Sequence, residues 1–159
     1  MTTILRPTRG GESSYPNQDR AIAIAKERDA DLLLLYVSNV HFLDHVAGPV
    51  LVDVETELVE MGEFLLALAQ ERAEQAGVRA KTLVLRGEFR EVLEQVIQEH
   101  EEITTLVLGV AAGGTGVTPP GYMEDVVQWC HTECGIEVFV VDGGEIVEHH
   151  TPFGDFSTH

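Results

Sequence analysis

Apolar positions along this chain follow two rhythms that alternate. Short unbroken apolar runs read as strands, and stretches with an apolar residue every three or four positions read as helices. Thr3-Ile4-Leu5 is the first run, halted by Pro7 and the Gly10-Gly11 pair. Ala21, Ile22 and Ala25 recur at helical spacing, with Asn17 expected as the N-cap. Leu32 to Val37 is continuous and apolar, as an inner strand of a parallel sheet must be when both of its faces are covered. Ser38 to Pro49 is irregular and carries His41, Asp44 and His45. A long helix follows, with Val54, Leu58, Met61, Leu65, Leu68 and Ala76 expected on its inner face and Gly77 as its stop.

The second half repeats the alternation. Thr82 to Leu85 reads as a strand closed by Arg86-Gly87, and Phe89, Val92, Leu93, Val96 and Ile97 mark a helix. Ile103 to Val110 is the fourth strand and runs into Gly113-Gly114-Thr115-Gly116. A helix through Val126, Val127 and Trp129 leads to the strand Val138 to Val141. Asp142-Gly143-Gly144 is a hairpin turn signal, with Glu145-Ile146-Val147 as a short returning strand and a polar, mobile tail expected from His149. Strands alternating with helices imply parallel pairing through right-handed crossovers. In such sheets a ligand sits beyond the C-terminal strand ends, where the strand order reverses.

Composition narrows the function classes. The 159 residues suit one domain, and the formal net charge of −17, from 27 acidic residues against 10 Lys and Arg, repels nucleic acid and anionic membrane. The start of the chain lacks the pattern of a signal peptide, and no apolar run is long enough to span a bilayer, so a cytoplasmic location is expected. Cys130 and Cys134 flank His131-Thr132-Glu133, but a zinc site wants four ligands at suitable spacing, so buried structural cysteine is the reading. His41, Asp44 and His45 lack a completing ligand, and His149-His150 would hold metal only adventitiously, so no metal site is expected. Trp129 and Tyr36 read as core or interface aromatics. Nucleophile–base, Walker, Gly-x-Ser-x-Gly and His-Glu-x-x-His patterns are absent, and no catalytic residue is assigned.

Ile4-Leu5-Arg6-Pro7-Thr8-Arg9-Gly10 resembles the opening strand and loop of the universal stress proteins, usually Ile-Leu-Val-Pro-Val-Asp-Gly. Val107-Leu108-Gly109 is similar to the end of their fourth strand, Val138 to Val141 to their last, and Arg86-Gly87 to a glycine position after the third. The resemblance runs from about Thr3 to Val141. It implies an open, mostly parallel five-stranded α/β sheet in order 3-2-1-4-5 with helices on both faces. The domain would cover residues 1–144, and residues 145–159 would be a partly mobile extension bearing the hairpin strand. The resemblance also implies a homodimer sealed by the last strand, here Val138, Phe139, Val140 and Val141, unless Glu145 to Val147 covers that edge.

For one branch of the family the resemblance implies adenine-nucleotide binding through Gly-x-x-Gly, a nine-residue spacer, then Gly-Ser or Gly-Thr. Glycines let backbone N–H groups approach phosphate oxygens, and the hydroxyl adds a donor. Gly109 fits the first position, but Ala112 holds the second, with Gly113 one residue late. Tyr122 and Met123 stand where the Gly-Ser pair belongs, Gly121 shortens the spacer, and Glu124 and Asp125 compete with an incoming phosphate. Arg9 replaces the family's Asp, which sits near the base and ribose, while Arg9 and Arg6 together attract an anion. The candidate nucleotide or anion site is therefore Thr8, Arg9, Gly10, Val37, Gly109, Gly113, Gly114, Thr115, Gly116, Gly121 and Tyr122. The expected function is a non-enzymatic stress-response or signalling homodimer with an altered or lost adenine-nucleotide site. The alternatives are a functional ATP or AMP binder with slow hydrolysis, and an adaptor that docks a protein partner on its acidic surface.

Overall fold

Six strands form one sheet in the order β3-β2-β1-β4-β5-β6. The computed structural model describes residues 2–8, 15–38, 48–109, 127–129 and 135–151, with 48–56 and 58 as backbone. In chain order the elements are β1 (Thr3–Pro7), α1 (Tyr15–Arg28), β2 (Asp31–Ser38), α2 (Gly48–Gln75), β3 (Ala80–Arg86), α3 (Phe89–Glu99), β4 (Ile103–Gly109), β5 (Glu137–Asp142) and β6 (Glu145–His150). The first five strands pair in parallel, in the expected order. Leu5 at the centre faces Leu33 on one side and Leu106 on the other.

Side chains alternate across a strand, so each strand feeds both faces of the sheet. Ile4, Leu32, Leu34, Val107 and Phe139 join Ala21, Ala25, Leu66, Ala69 and Ala73 from α1 and α2 in one core layer. Leu5, Leu35, Leu106, Leu108 and Val138 join Val92, Leu93 and Val96 of α3, together with Val127, in the other. Tyr36 packs against the first layer and Trp129 against the second. The inner face of α2 differs from the expected one. Leu66, Ala69 and Ala73 are buried, whereas Met61 is exposed and Leu65 and Leu68 are only half-buried. The apolar arc of this helix is wider than the sheet needs, and spacing alone does not tell which part docks.

The C-terminal strand is longer than expected. β6 runs antiparallel to β5 from Glu145 to His150, so His149 and His150 belong to the sheet. Gly143 and Gly144, at φ +59° and +88°, supply the two left-handed positions of a tight hairpin. β5 is thus hydrogen-bonded on both sides within the chain. Its Val138, Phe139, Val140 and Val141 are buried, and β6 takes the edge expected to seal a dimer.

A polar clamp fastens β6. His149 stacks on its cross-strand neighbour Phe139 with ring centroids 4.1 Å apart, and its Nε2 bonds Glu137. Arg28 from α1 donates two hydrogen bonds to the same carboxylate, one of them 2.9 Å. Burial alone would raise the pKa of Glu137, but the hydrogen bonds and charges of Arg28 and His149 outweigh it and hold the carboxyl below its ordinary value. A depressed carboxylate pKa contributes stability that is present above the unfolded-state value and lost as pH falls through the folded-state value. Glu137→Gln should therefore lower amide-exchange protection in β6 by about tenfold at neutral pH. In the wild type that protection should fall on acidification below the ordinary Glu range, and in the variant it should not. Equal β6 protection in the two proteins would remove the clamp's role.

Candidate functional site

The chain leaves β1 toward β2, and β4 pairs on the opposite side of β1. The connections therefore diverge beyond the C-terminal ends of β1 and β4, which is where sheets of this topology form a ligand crevice. Its floor is the end of β1, at Arg6, Pro7 and Thr8, and the end of β4, at Gly109. The first turns of α1 close one side.

Arg6 is the unusual group. It lies within a strand of buried residues and is itself 3% exposed. Its Nη1 donates to the carbonyl of Pro7, and its Nε has no hydrogen-bond partner. Among the described residues no carboxylate pairs with it. Burial pushes the guanidinium down from its ordinary value to about 10. The head group lies under the end of β4. A Cβ built on Gly109 would sit 3.1 Å from Nη2 and 3.4 Å from Nη1 of Arg6, and 3.0 Å from Nδ2 of Asn17. Those distances are tighter than ordinary carbon contacts, so a residue with a side chain at 109 would push Arg6 or Asn17 aside.

Four other polar side chains lie nearby. Thr8 is buried; its N–H donates to Leu35 O at 2.8 Å and its hydroxyl accepts from Gln18 Nε2 at 2.9 Å. Asn17 is also buried, and its Oδ1 accepts the N–H of Gly144 at 2.9 Å. Arg20 Nε donates to Gly144 O at 2.7 Å, so the β5–β6 turn is tied to α1 beside the crevice. The unpartnered Nε of Arg6 and the amide nitrogen of Asn17 are donors at this end of the sheet. Such a surface suits an anion.

Of the site residues expected from sequence, Thr8 and Gly109 stand at the ends of neighbouring strands β1 and β4. Val37 is half-buried in β2, opposite Leu85, with its side chain against the α3 layer. Arg9, Gly10, Gly113, Gly114, Thr115, Gly116, Gly121 and Tyr122 lie outside the described residues, as do His41, Asp44, His45, Cys130 and Cys134. Asn17 is not an N-cap. α1 begins at Tyr15, and Asn17 sits inside the helix with its side chain turned to the β5–β6 turn. Gln18 was missed altogether. Both had a legible signal, since they precede Ala21 and Ile22 by four residues and so share the buried face.

The family model described as the universal stress protein family matches residues 1–116. Similar solved structures include the universal stress protein UspA from Lactobacillus plantarum, 22% identical with a TM-score of 0.69, covering 88% of this chain and 97% of that one. A universal stress protein family protein from Arabidopsis thaliana with AMP bound is 20% identical at a TM-score of 0.53, covering 89% of this chain and 92% of that one. The universal stress protein from Archaeoglobus fulgidus in complex with dAMP is 12% identical at a TM-score of 0.55, covering 89% and 96%. No curated protein matches the sequence. At these identities the structural likeness speaks to the fold, and the family model speaks to descent. With strand order, crevice and matched residues in agreement over well more than half its length, the chain belongs to the universal stress protein family.

Proposed function

We propose that this chain is a ligand-responsive, non-enzymatic universal stress protein whose adenine-nucleotide crevice is altered toward the phosphate end of the ligand. The observation that carries the proposal is Arg6, a buried guanidinium that no carboxylate pairs with among the described residues, set against Gly109 on the floor of the crevice. A buried unpaired cation destabilises the fold unless something compensates it. An anionic ligand would do so. The related structures with AMP and dAMP hold nucleotides that carry one phosphate each, a group whose charge is opposite to that of Arg6. Arg9, which stands where the family has an acceptor for the base and ribose, shifts recognition the same way. Backbone donors of Gly113, Gly114 and Gly116, the Thr115 hydroxyl, and the Gly121–Tyr122 segment complete the proposed phosphate side.

The proposal includes a homodimer. Because β5 is covered, the strand edge on that side of the sheet that could meet a second copy is β6, where Ile146 and Val147 are 42% and 54% exposed. Among the described residues no helix is long and apolar enough to cross a membrane. Ligand-dependent change in the surface of this dimer, rather than bond-making, is the proposed activity.

Arg6→Met separates a ligand role from a structural one, because Met keeps much of the volume without the charge. A buried charge without a partner costs stability, and an apolar side chain of similar volume removes that cost. In ligand-free protein R6M should therefore raise the melting temperature, by about 2–4 °C per kcal/mol recovered for a chain of this size. By calorimetry the wild type should bind AMP more tightly than adenosine, and R6M should weaken AMP at least tenfold while leaving adenosine unchanged. A lowered melting temperature in R6M would make Arg6 structural. Adenosine binding as tightly as AMP would overturn the phosphate-led reading.

A further inference from the structure

A helix packed on a sheet needs one apolar stripe, and α2 has two. Leu66, Ala69 and Ala73 form the buried one. Met61, Phe64, Leu65 and Leu68 recur at i, i+3, i+4 and i+7 and lie roughly a third of a turn further round the helix. Phe64 is 63% exposed and Met61 49%, while Leu65 and Leu68 are half-buried. Full burial of a Phe or Met side chain is favourable. The fold leaves that free energy unclaimed at two neighbouring positions.

The exposed charges described on α2 beside this stripe, before Arg72, have one sign. Glu57, Glu60, Glu63 and Glu71 are exposed on the same helix, and its sequence contains no basic residue before Arg72. Arg72 does not offset them, since its guanidinium is bonded to Asp19 at 2.8 Å and lies 4.2 Å from the ring centre of Tyr15. We infer that this face of α2 is a docking site for a basic amphipathic helix of a partner protein. Apolar side chains at helical spacing on such a partner would lie along Met61, Phe64 and Leu68, and its Lys and Arg residues would meet the glutamate rim. The charge also argues against a second copy as occupant. Pairing α2 with itself would bring one glutamate rim close to another, in a chain whose formal net charge is already −17. This surface stands independently of the crevice and of the nucleotide reading.

The probe is a labelled helical peptide of about four turns, with Leu at i, i+3, i+4 and i+7 and Lys elsewhere. It is titrated with the full chain by fluorescence anisotropy, beside a version with Glu in place of Lys. The lysine peptide should bind in the micromolar range and weaken with salt, and the glutamate peptide should not bind. The double variant M61S/F64S should weaken the lysine peptide at least tenfold with an unchanged melting temperature, because both side chains are exposed. The triple variant E99Q/E101Q/E102Q, which removes exposed charge at and beyond the end of α3, should leave affinity within twofold. Undiminished binding by M61S/F64S, an equal loss in the α3-side variant, or no binding by the wild type would each overturn the inference. So would sedimentation showing wild-type self-association that M61S/F64S abolishes, because that result assigns the face to a second copy.

Discussion

The parallel pairing of β1 on both of its edges is the constraint from which the rest follows. Parallel neighbours cannot be joined by tight turns, so the chain must cross over a face of the sheet between them. β1 is the strand at which the order turns from one edge to the other, and the crevice beyond its end is a consequence of connectivity. Both faces must then be covered. This accounts for the apolar character of Leu32 to Leu35 and Leu106 to Leu108, which feed two cores at once.

Within that frame one residue runs against the grain. A buried strand position beside the central leucine would be filled most stably by an aliphatic side chain, and here it carries Arg6. Local violations of otherwise consistent patterning concentrate where proteins handle ligands, and stability is commonly lower there in return. The glycine at the end of β4 fits the same account, because its missing side chain is the space occupied by the guanidinium and by Asn17.

Much of the architecture could be read from residues. The unbroken run from Leu32, the helical spacing from Phe89 to Ile97 and the Gly143-Gly144 turn each rest on local physics, and each appears where expected. What escaped the sequence depends on contacts between distant segments. His149 and His150 look like the start of a polar tail until Phe139 offers a ring to stack on and Glu137 and Arg28 offer a clamp. The inner face of α2 was misjudged because its apolar arc is wide enough for two partners. Thr8 and Gly109 were found through resemblance. Asn17 and Gln18 were passed over because polar residues near a helix start read first as caps.

The most direct test of the account is the distance between Arg6 and a ligand phosphate in a crystal structure of the protein with AMP. The account predicts a guanidinium nitrogen within about 3.2 Å of a phosphate oxygen. A nucleotide bound with its phosphate remote from Arg6, the guanidinium still held by the Pro7 carbonyl alone, would contradict it.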